Sequence, residues 1–235
     1  MKTNQTISAS TVIPERRPMF TRDWNISQQL TRWLVAKEVS PNAISLAGMA
    51  GAIVAGLALA ATSLSPWPRA MFLLAVAGIV VRGMGNLLDG MVAVSSGKAS
   101  PLGELFNEVP DRISDIAILV GAGFALGGNA TLGLLAALTA VLVAYIRAEG
   151  KVTGAAQHYC GPMAKPARML VIVLISFYHT VTPASWQIIL SIGKHTFGLM
   201  SAGLAMITVG GIITAARRLR KIAHDVTGTT YSLQK

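Results

Sequence analysis

Stretches of about twenty mostly apolar residues recur six times in this 235-residue chain. A segment of that length and character is what a helix crossing a bilayer requires. The six run roughly 42–63, 70–94, 101–126, 130–149, 164–183 and 187–216. Only 13% of residues are charged, against about 25% in a soluble globular domain. A cytosolic enzyme is thereby excluded, and an all-α, polytopic membrane protein is expected. The single cysteine, Cys160, excludes a disulfide-built fold. The net charge of +10 is read as lysine and arginine gathered on the cytoplasmic side of a membrane protein rather than as a nucleic-acid footprint. No nucleic-acid partner is expected.

The basic residues set an orientation. Lys2, Arg16, Arg17, Arg22, Arg32 and Lys37 precede the first span, and Lys98 lies between the second and third. Arg147, Lys151, Lys165 and Arg168 surround the link between the fourth and fifth, and Arg217, Arg218, Arg220, Lys221 and Lys235 follow the sixth. The opposite side holds Arg69 and Lys194. An inner-membrane protein with both termini in the cytoplasm follows. Residues 1–19 read as a disordered tail, and 20–38 as an amphipathic helix lying on the membrane surface. Trp24, Leu30, Trp33 and Leu34 recur there among Arg22, Arg32 and Lys37. Residues 39–218 form the six-span domain and 219–235 a cytoplasmic tail. Ser40-Pro41 and Ser100-Pro101 place a capping serine and a first-turn proline at the cytoplasmic starts of the first and third spans.

Five of the ten acidic residues, Asp89, Glu104, Glu108, Asp111 and Asp115, lie within 27 positions of this hydrophobic chain. A carboxylate near lipid depth is costly unless it is paired, solvated or metal-bound. Asn86 and Asp89 share one face of the second span; Gly103, Asn107, Asp111 and Asp115 share one face of the third. The link at 95–100 is short, so the two spans are expected as antiparallel neighbours with these oxygen-rich faces opposed. Such a set suits Mg²⁺ or Mn²⁺ beside phosphates, with a spare carboxylate as base. Polar glue between helices is the plainer alternative.

The stretch from Asn86 to Asp111, NLLDGMVAVSSGKASPLGELFNEVPD, resembles the signature of the CDP-alcohol phosphotransferase family, D-x2-D-G-x2-A-R-x8-G-x3-D-x3-D, with every spacing kept. Ser40-Pro41-Asn42-Ala43-Ile44-Ser45 resembles the family's PN-x-[IL]-[ST] opening of the first span. Three places depart from the pattern: Asn86 and Asn107 stand at the first and third aspartates, and Val94 at the arginine. The resemblance implies an enzyme of phospholipid biosynthesis. It would transfer a phosphatidyl group from a CDP-linked lipid to an alcohol and release CMP.

It further implies metal ligation by Asn86, Asp89, Asn107 and Asp111, with Asp111 also the base. Contact with the CDP moiety falls to Asn42, Asp89, Gly90, Ala93 and Gly103. Arg112, Arg147, Lys165 and Arg168 resemble the branches with phosphorylated acceptors, and they are assigned to the acceptor phosphate. Arg forks suit that anion. Arg82, one turn before Asn86, stands in for the missing arginine or for part of a metal's charge. Glu104, Glu108 and Asp115 compensate in part for the two lost aspartates. Membrane lipids and a second copy of the chain are further expected partners. The two asparagines keep a second reading open, a catalytically degenerate paralogue that binds lipid or stabilises a partner. A small ion-coupled transporter is a third reading, disfavoured because the outer ends of the spans lack polar residues.

Overall fold

The computed structural model describes residues 24–97, 101–187, 189–192 and 195–232. The expected disordered tail, Lys98, the Ser100 cap and Lys194 lie outside them. Seven α-helices follow in order: α1 Asn25–Ala36, α2 Pro41–Ala61, α3 Pro68–Ser95, α4 Pro101–Phe124, α5 Ala130–Val152, α6 Lys165–Val181 and α7 Leu199–Ser232. The α2 start is built as its sequence demands. Pro41 takes the first position and the Ala43 N–H donates to Ser40 Oγ at 3.2 Å. Asn129 caps α5 in the same way, accepting from the Leu132 N–H at 3.1 Å.

Helices α2 to α7 close into a ring in the order α2, α4, α5, α7, α6, α3 and back to α2. The expected side-by-side pairing of the second and third spans is therefore corrected. α3 and α4 each lie along α2 and touch one another only over a short stretch. Small residues are the cause. Gly48, Gly51, Ala52, Ala55 and Gly56 leave α2 without bulk on two sides. Gly51 and Gly78 bring α2 and α3 into backbone contact, and Gly56 with Gly121 does so for α2 and α4. Packing of that closeness is how helices associate when lipid supplies no hydrophobic drive between them. The shared core runs through Leu59, Phe72, Ile118, Leu119, Ile172, Met200, Leu204 and Ile207. The outward faces carry exposed Leu57, Leu138, Leu174, Val209 and Ile212, an apolar surface that water would not tolerate at this extent.

By length and composition four helices can cross a membrane: α2, α3, α5 and the Leu199–Gly228 part of α7. α4 carries charge through its first half, and α6 has 17 residues. The sixth span begins later than expected. α7 begins at Leu199, and the described residues before it include two paired antiparallel strands, Leu190–Ile192 and His195–Phe197, in which Leu190 is opposite Phe197. The expected all-α class holds, with this short strand pair as a local addition to the seven helices. Ile189, Leu190, Ile192, Thr196 and Phe197 are branched or aromatic and are divided by Gly193-Lys194, a hairpin pattern rather than a helical one. At its other end α7 continues through the expected tail to Ser232. α1 rests on α3, with Ser27 and Thr31 buried and Trp24, Ile26 and Trp33 exposed.

Candidate active site

Helix α3 presents Arg82, Asn86 and Asp89 at i, i+4 and i+7, along one face. Asp89 is buried and fully engaged. Its Oδ2 accepts from Ser45 Oγ of α2 at 2.6 Å, and its Oδ1 from the Gly90 N–H at 2.6 Å. Ser45 is the last residue of the PN-x-[IL]-[ST] stretch. That motif thus reaches the aspartate of the neighbouring helix, a link that spacing within one helix could not reveal. Ser45→Ala should leave one buried carboxylate oxygen without its donor. The expected cost is about 1–3 kcal/mol, read as a lowered unfolding temperature of the purified protein in detergent. Unchanged unfolding would mean that water replaces the hydroxyl.

Beside Asp89, a Cβ added at Gly90 would meet nothing within 4 Å. Gly90 therefore borders open space, and Ala93 and Asn42 are half-buried like it. On α4, Gly103 is half-buried and Asn107 exposed, whereas Asp111 and Asp115 are buried. The helix runs uninterrupted through Pro110.

Cations gather on these carboxylates. Asp111 Oδ1 accepts from Arg82 Nη2 and, at 2.5 Å, from Lys165 Nζ at the start of α6. Its Oδ2 lies 3.5 Å from Arg112 Nη2. Arg82 Nη2 also donates to Asn86 Oδ1 at 3.1 Å. Asp115 Oδ2 accepts from Arg168 Nη2 at 2.8 Å, and Lys165 Nζ stands 4.0 Å from Asp115 Oδ1. Glu108 pairs with Arg147 and lies 3.6 Å from Arg112. All four basic residues assigned to an acceptor phosphate thus converge on α4, each bound to a carboxylate. Lys165 and Arg112 keep 20% and 23% of their side-chain surface, while Arg168 keeps 2%.

Arg168 and Arg218 show what charge counting misses. Arg168 Nη1 also donates to the Met163 carbonyl at 3.0 Å. Arg218, grouped with the tail cations by sequence, is buried. It donates from Nη1 to the Val143 carbonyl and from Nε to the Cys160 carbonyl, each at 3.1 Å, tying α5, the 153–164 loop and α7 together. His158 pairs with Asp225 of α7 at 2.7 Å.

Among the described residues no three His, Cys, Asp or Glu side chains converge as a metal site. The donor set Asn86, Asp89, Asn107 and Asp111 nonetheless consists of oxygens alone, the ligand type that hard divalent cations take. Its chemistry fits Mg²⁺ or Mn²⁺ in a weak form: two of the four ligands are neutral amides, and a bound pyrophosphate would have to supply much of the remaining oxygen.

Comparison with known proteins bears on this arrangement. The chain is 32% identical over 155 residues to the inner membrane protein YnbA of Escherichia coli, covering 66% of this chain and 75% of that one. It is 24% identical to the phosphatidylinositol phosphate synthase of Streptomyces avermitilis, over 89% of this chain and 81% of the relative. Among solved structures, the phosphatidylinositol phosphate synthase of Mycobacterium tuberculosis in complex with manganese and citrate superposes with a TM-score of 0.66 at 19% identity, covering 83% of this chain and 88% of that one. The same enzyme with CDP-DAG bound gives 0.64 at 18% identity, over 85% and 94%. At such identities the likeness is one of fold. The family profile described as CDP-alcohol phosphatidyltransferase matches residues 38–219, which hold every helix from α2 to most of α7. With the signature spacing kept and the profile covering most of the sequence, the chain belongs to the CDP-alcohol phosphatidyltransferase family, membrane transferases of phosphorus-containing groups that serve phospholipid synthesis.

Proposed function

We propose that this protein transfers a phosphatidyl group from a CDP-linked lipid to an alcohol that carries its own phosphate, releasing CMP. The observation that supports this most is the position of Asp111. It stands where α3, α4 and α6 meet, between the Asn86–Asp89 face and the partly exposed Lys165 and Arg112. A donor pyrophosphate would lie over Gly90 and Ala93, reached also by Asn42 and Gly103. An acceptor phosphate would engage Lys165, Arg112 and Arg147, with Arg168 behind them.

The acceptor hydroxyl oxygen would form a bond to the phosphorus that bears the lipid. The bond from that phosphorus to the bridging oxygen breaks, and CMP leaves with the electron pair. The hydroxyl proton passes to Asp111. An acceptor phosphate would also draw Lys165 and Arg112 toward itself, leaving Asp111 Oδ2 free to take that proton while Arg82 stays on Oδ1. Enzymes of this family use Mg²⁺ or Mn²⁺. Among the expected ligands Asn86, Asp89, Asn107 and Asp111, Asp89 is the carboxylate that accepts from Ser45 and the Gly90 N–H rather than from a basic side chain, and a cation held on its side would supply charge neutralisation at the pyrophosphate.

Purified protein with CDP-diacylglycerol, Mn²⁺ and a panel of acceptors tests this. CMP release is expected with inositol phosphate or glycerol phosphate and not with their unphosphorylated alcohols. Release with the plain alcohols alone would remove the phosphate pocket. No release with any acceptor would favour the degenerate paralogue, the reading that Asn86 and Asn107 support.

The membrane arrangement belongs to the same proposal. All six of α2 to α7 span the bilayer, the termini and the cleft face the cytoplasm, and α1 lies at the surface with Trp24 and Trp33 among the headgroups. In a Cys160→Ser background, cysteines placed at Lys98 and Lys151 should be labelled from one side of the membrane and a cysteine at Trp186 from the other. Labelling of Lys98 and Lys151 positions from opposite sides would dismantle the scheme.

A further inference from the structure

Arg82 sits where a charge is otherwise brought by a ligand. It is 2% exposed, the largest fully buried side chain among the described residues. An arginine so deep in a membrane bundle is costly unless paired. Its Nη2 serves both Asn86 Oδ1 and Asp111 Oδ1, the first and last oxygens of the signature. The packing is cut to admit it: a Cβ at Gly48 of α2 would stand 2.9 Å from Arg82 Nη1, and one at Gly85 would lie 3.2 Å from the Gly48 Cα. Arg82 Nε and Nη1 are buried with no hydrogen-bond partner, donor capacity left for a ligand oxygen.

One nitrogen cannot share this place with a metal ion. The point that both oxygens face is filled by Nη2, and a dication brought to it would meet a fixed positive charge at contact distance in a low-dielectric setting. Charge count agrees. The four signature side chains carry two formal negative charges, from Asp89 and Asp111, and Arg82 and Lys165 both already answer that of Asp111.

We infer that Arg82 is a resident cation of the donor site: its guanidinium takes the position between Asn86 and Asp111, and divalent metal binding is confined to the Asp89 side, one ion per chain. This rests on the reading of the cleft as the CDP site. Arg82 is thereby a positioning residue for the pyrophosphate and a determinant of metal stoichiometry.

The test counts Mn²⁺ bound to the full-length protein in detergent, in the presence of CDP, by the loss of the free-ion spin-resonance signal. Wild type should bind one Mn²⁺ per chain. Asn86→Asp, with Arg82 in place, should still bind one. Arg82→Gln combined with Asn86→Asp should bind two, provided thermal unfolding shows it folded; if it does not fold, the first two counts decide. Two ions or none in wild type, two in Asn86→Asp, or one in a folded double variant would overturn the inference. A count of one in wild type and Asn86→Asp with no CMP release from any acceptor would leave the resident cation standing and remove the transfer reaction instead.

Discussion

Asp111→Asn is expected to reduce CMP release by about 10²–10⁴-fold, the range a positioned general base contributes, while leaving donor binding nearly intact. The substitution keeps size and one carbonyl oxygen. Arg82 and Lys165 can both still donate to that oxygen, as both do to Oδ1 now. What is lost is the ability to take the acceptor's proton. The amide also turns an N–H toward Arg112 in place of Oδ2, a mild repulsion at a partly exposed site. CDP held at Gly90 and Asp89 meets none of these changes. The measurement is a pair: turnover with a phosphorylated acceptor, and CDP affinity by calorimetry, on protein whose unfolding temperature matches wild type. If turnover survives in the folded variant, Asp111 is not the base, and the carboxylates next to be tested are Asp115 and Glu108. If CDP binding collapses together with turnover, Asp111 holds the donor and its part in proton transfer is not separable.

Much of the fold was legible because the bilayer enforces simple rules. Apolar length located α2 to α6 within a few residues at each end, and Ser40-Pro41 marked the α2 start, since a helix N-terminus needs an acceptor and proline suits its first turn. The order of helices around the ring was not legible. A short link suggested α3 against α4, yet glycines on two sides of α2 let it fit between them. Glycine content signals close packing without saying which helices use it. The 187–198 segment was misjudged for a related reason: hydropathy sees apolar residues and is blind to whether their branching favours strand or helix. α4 shows the opposite limit. Its charges lower the apolar score of a helix that lies against α2, α5 and α7.

Within the candidate site, spacing named residues along each helix and not the partners they meet on other helices. Asp89, Asn86 and Asp111 were named from the signature, and Arg82 as a stand-in for its missing arginine or for part of a metal's charge. Ser45 with Asp89, and Asp115 with Arg168, are contacts 44 and 53 residues apart. No periodicity within one helix contains them. The four basic residues around α4 were taken from their shared cytoplasmic level. The geometry adds that each of these cations is met by a carboxylate, Glu108, Asp111 or Asp115, and that Arg82 brings a fifth positive charge onto Asp111. An acceptor phosphate entering there competes with carboxylates for every cation it meets, which would make binding depend on the acceptor's charge as well as its shape.

The Arg168–Asp115 pair should show the largest stability effect in the molecule. The two side chains are 2% and 1% exposed, and Asp115 Oδ2 accepts from Arg168 Nη2 at 2.8 Å. Arg168→Met leaves a buried carboxylate beside Lys165 alone. Removing one member of a buried ion pair costs about 3–5 kcal/mol, enough to bring a domain of ordinary stability near its unfolding threshold. It should also pull Lys165 from Asp111 toward Asp115 Oδ1, now 4.0 Å away. The double variant Arg168→Met with Asp115→Leu replaces both charges by apolar groups of comparable volume, and most of the lost stability should return, because the desolvation of both ions is removed as well. Unfolding of the three proteins in detergent, followed by helix signal against denaturant, supplies the cycle. Acceptor KM supplies the second axis. If Arg168 also serves the acceptor phosphate, the double variant should regain stability and keep a KM raised about tenfold. A double variant with restored stability and an unchanged KM would confine Arg168 to holding α4 against α6, and the phosphate would then rest on Lys165, Arg112 and Arg147.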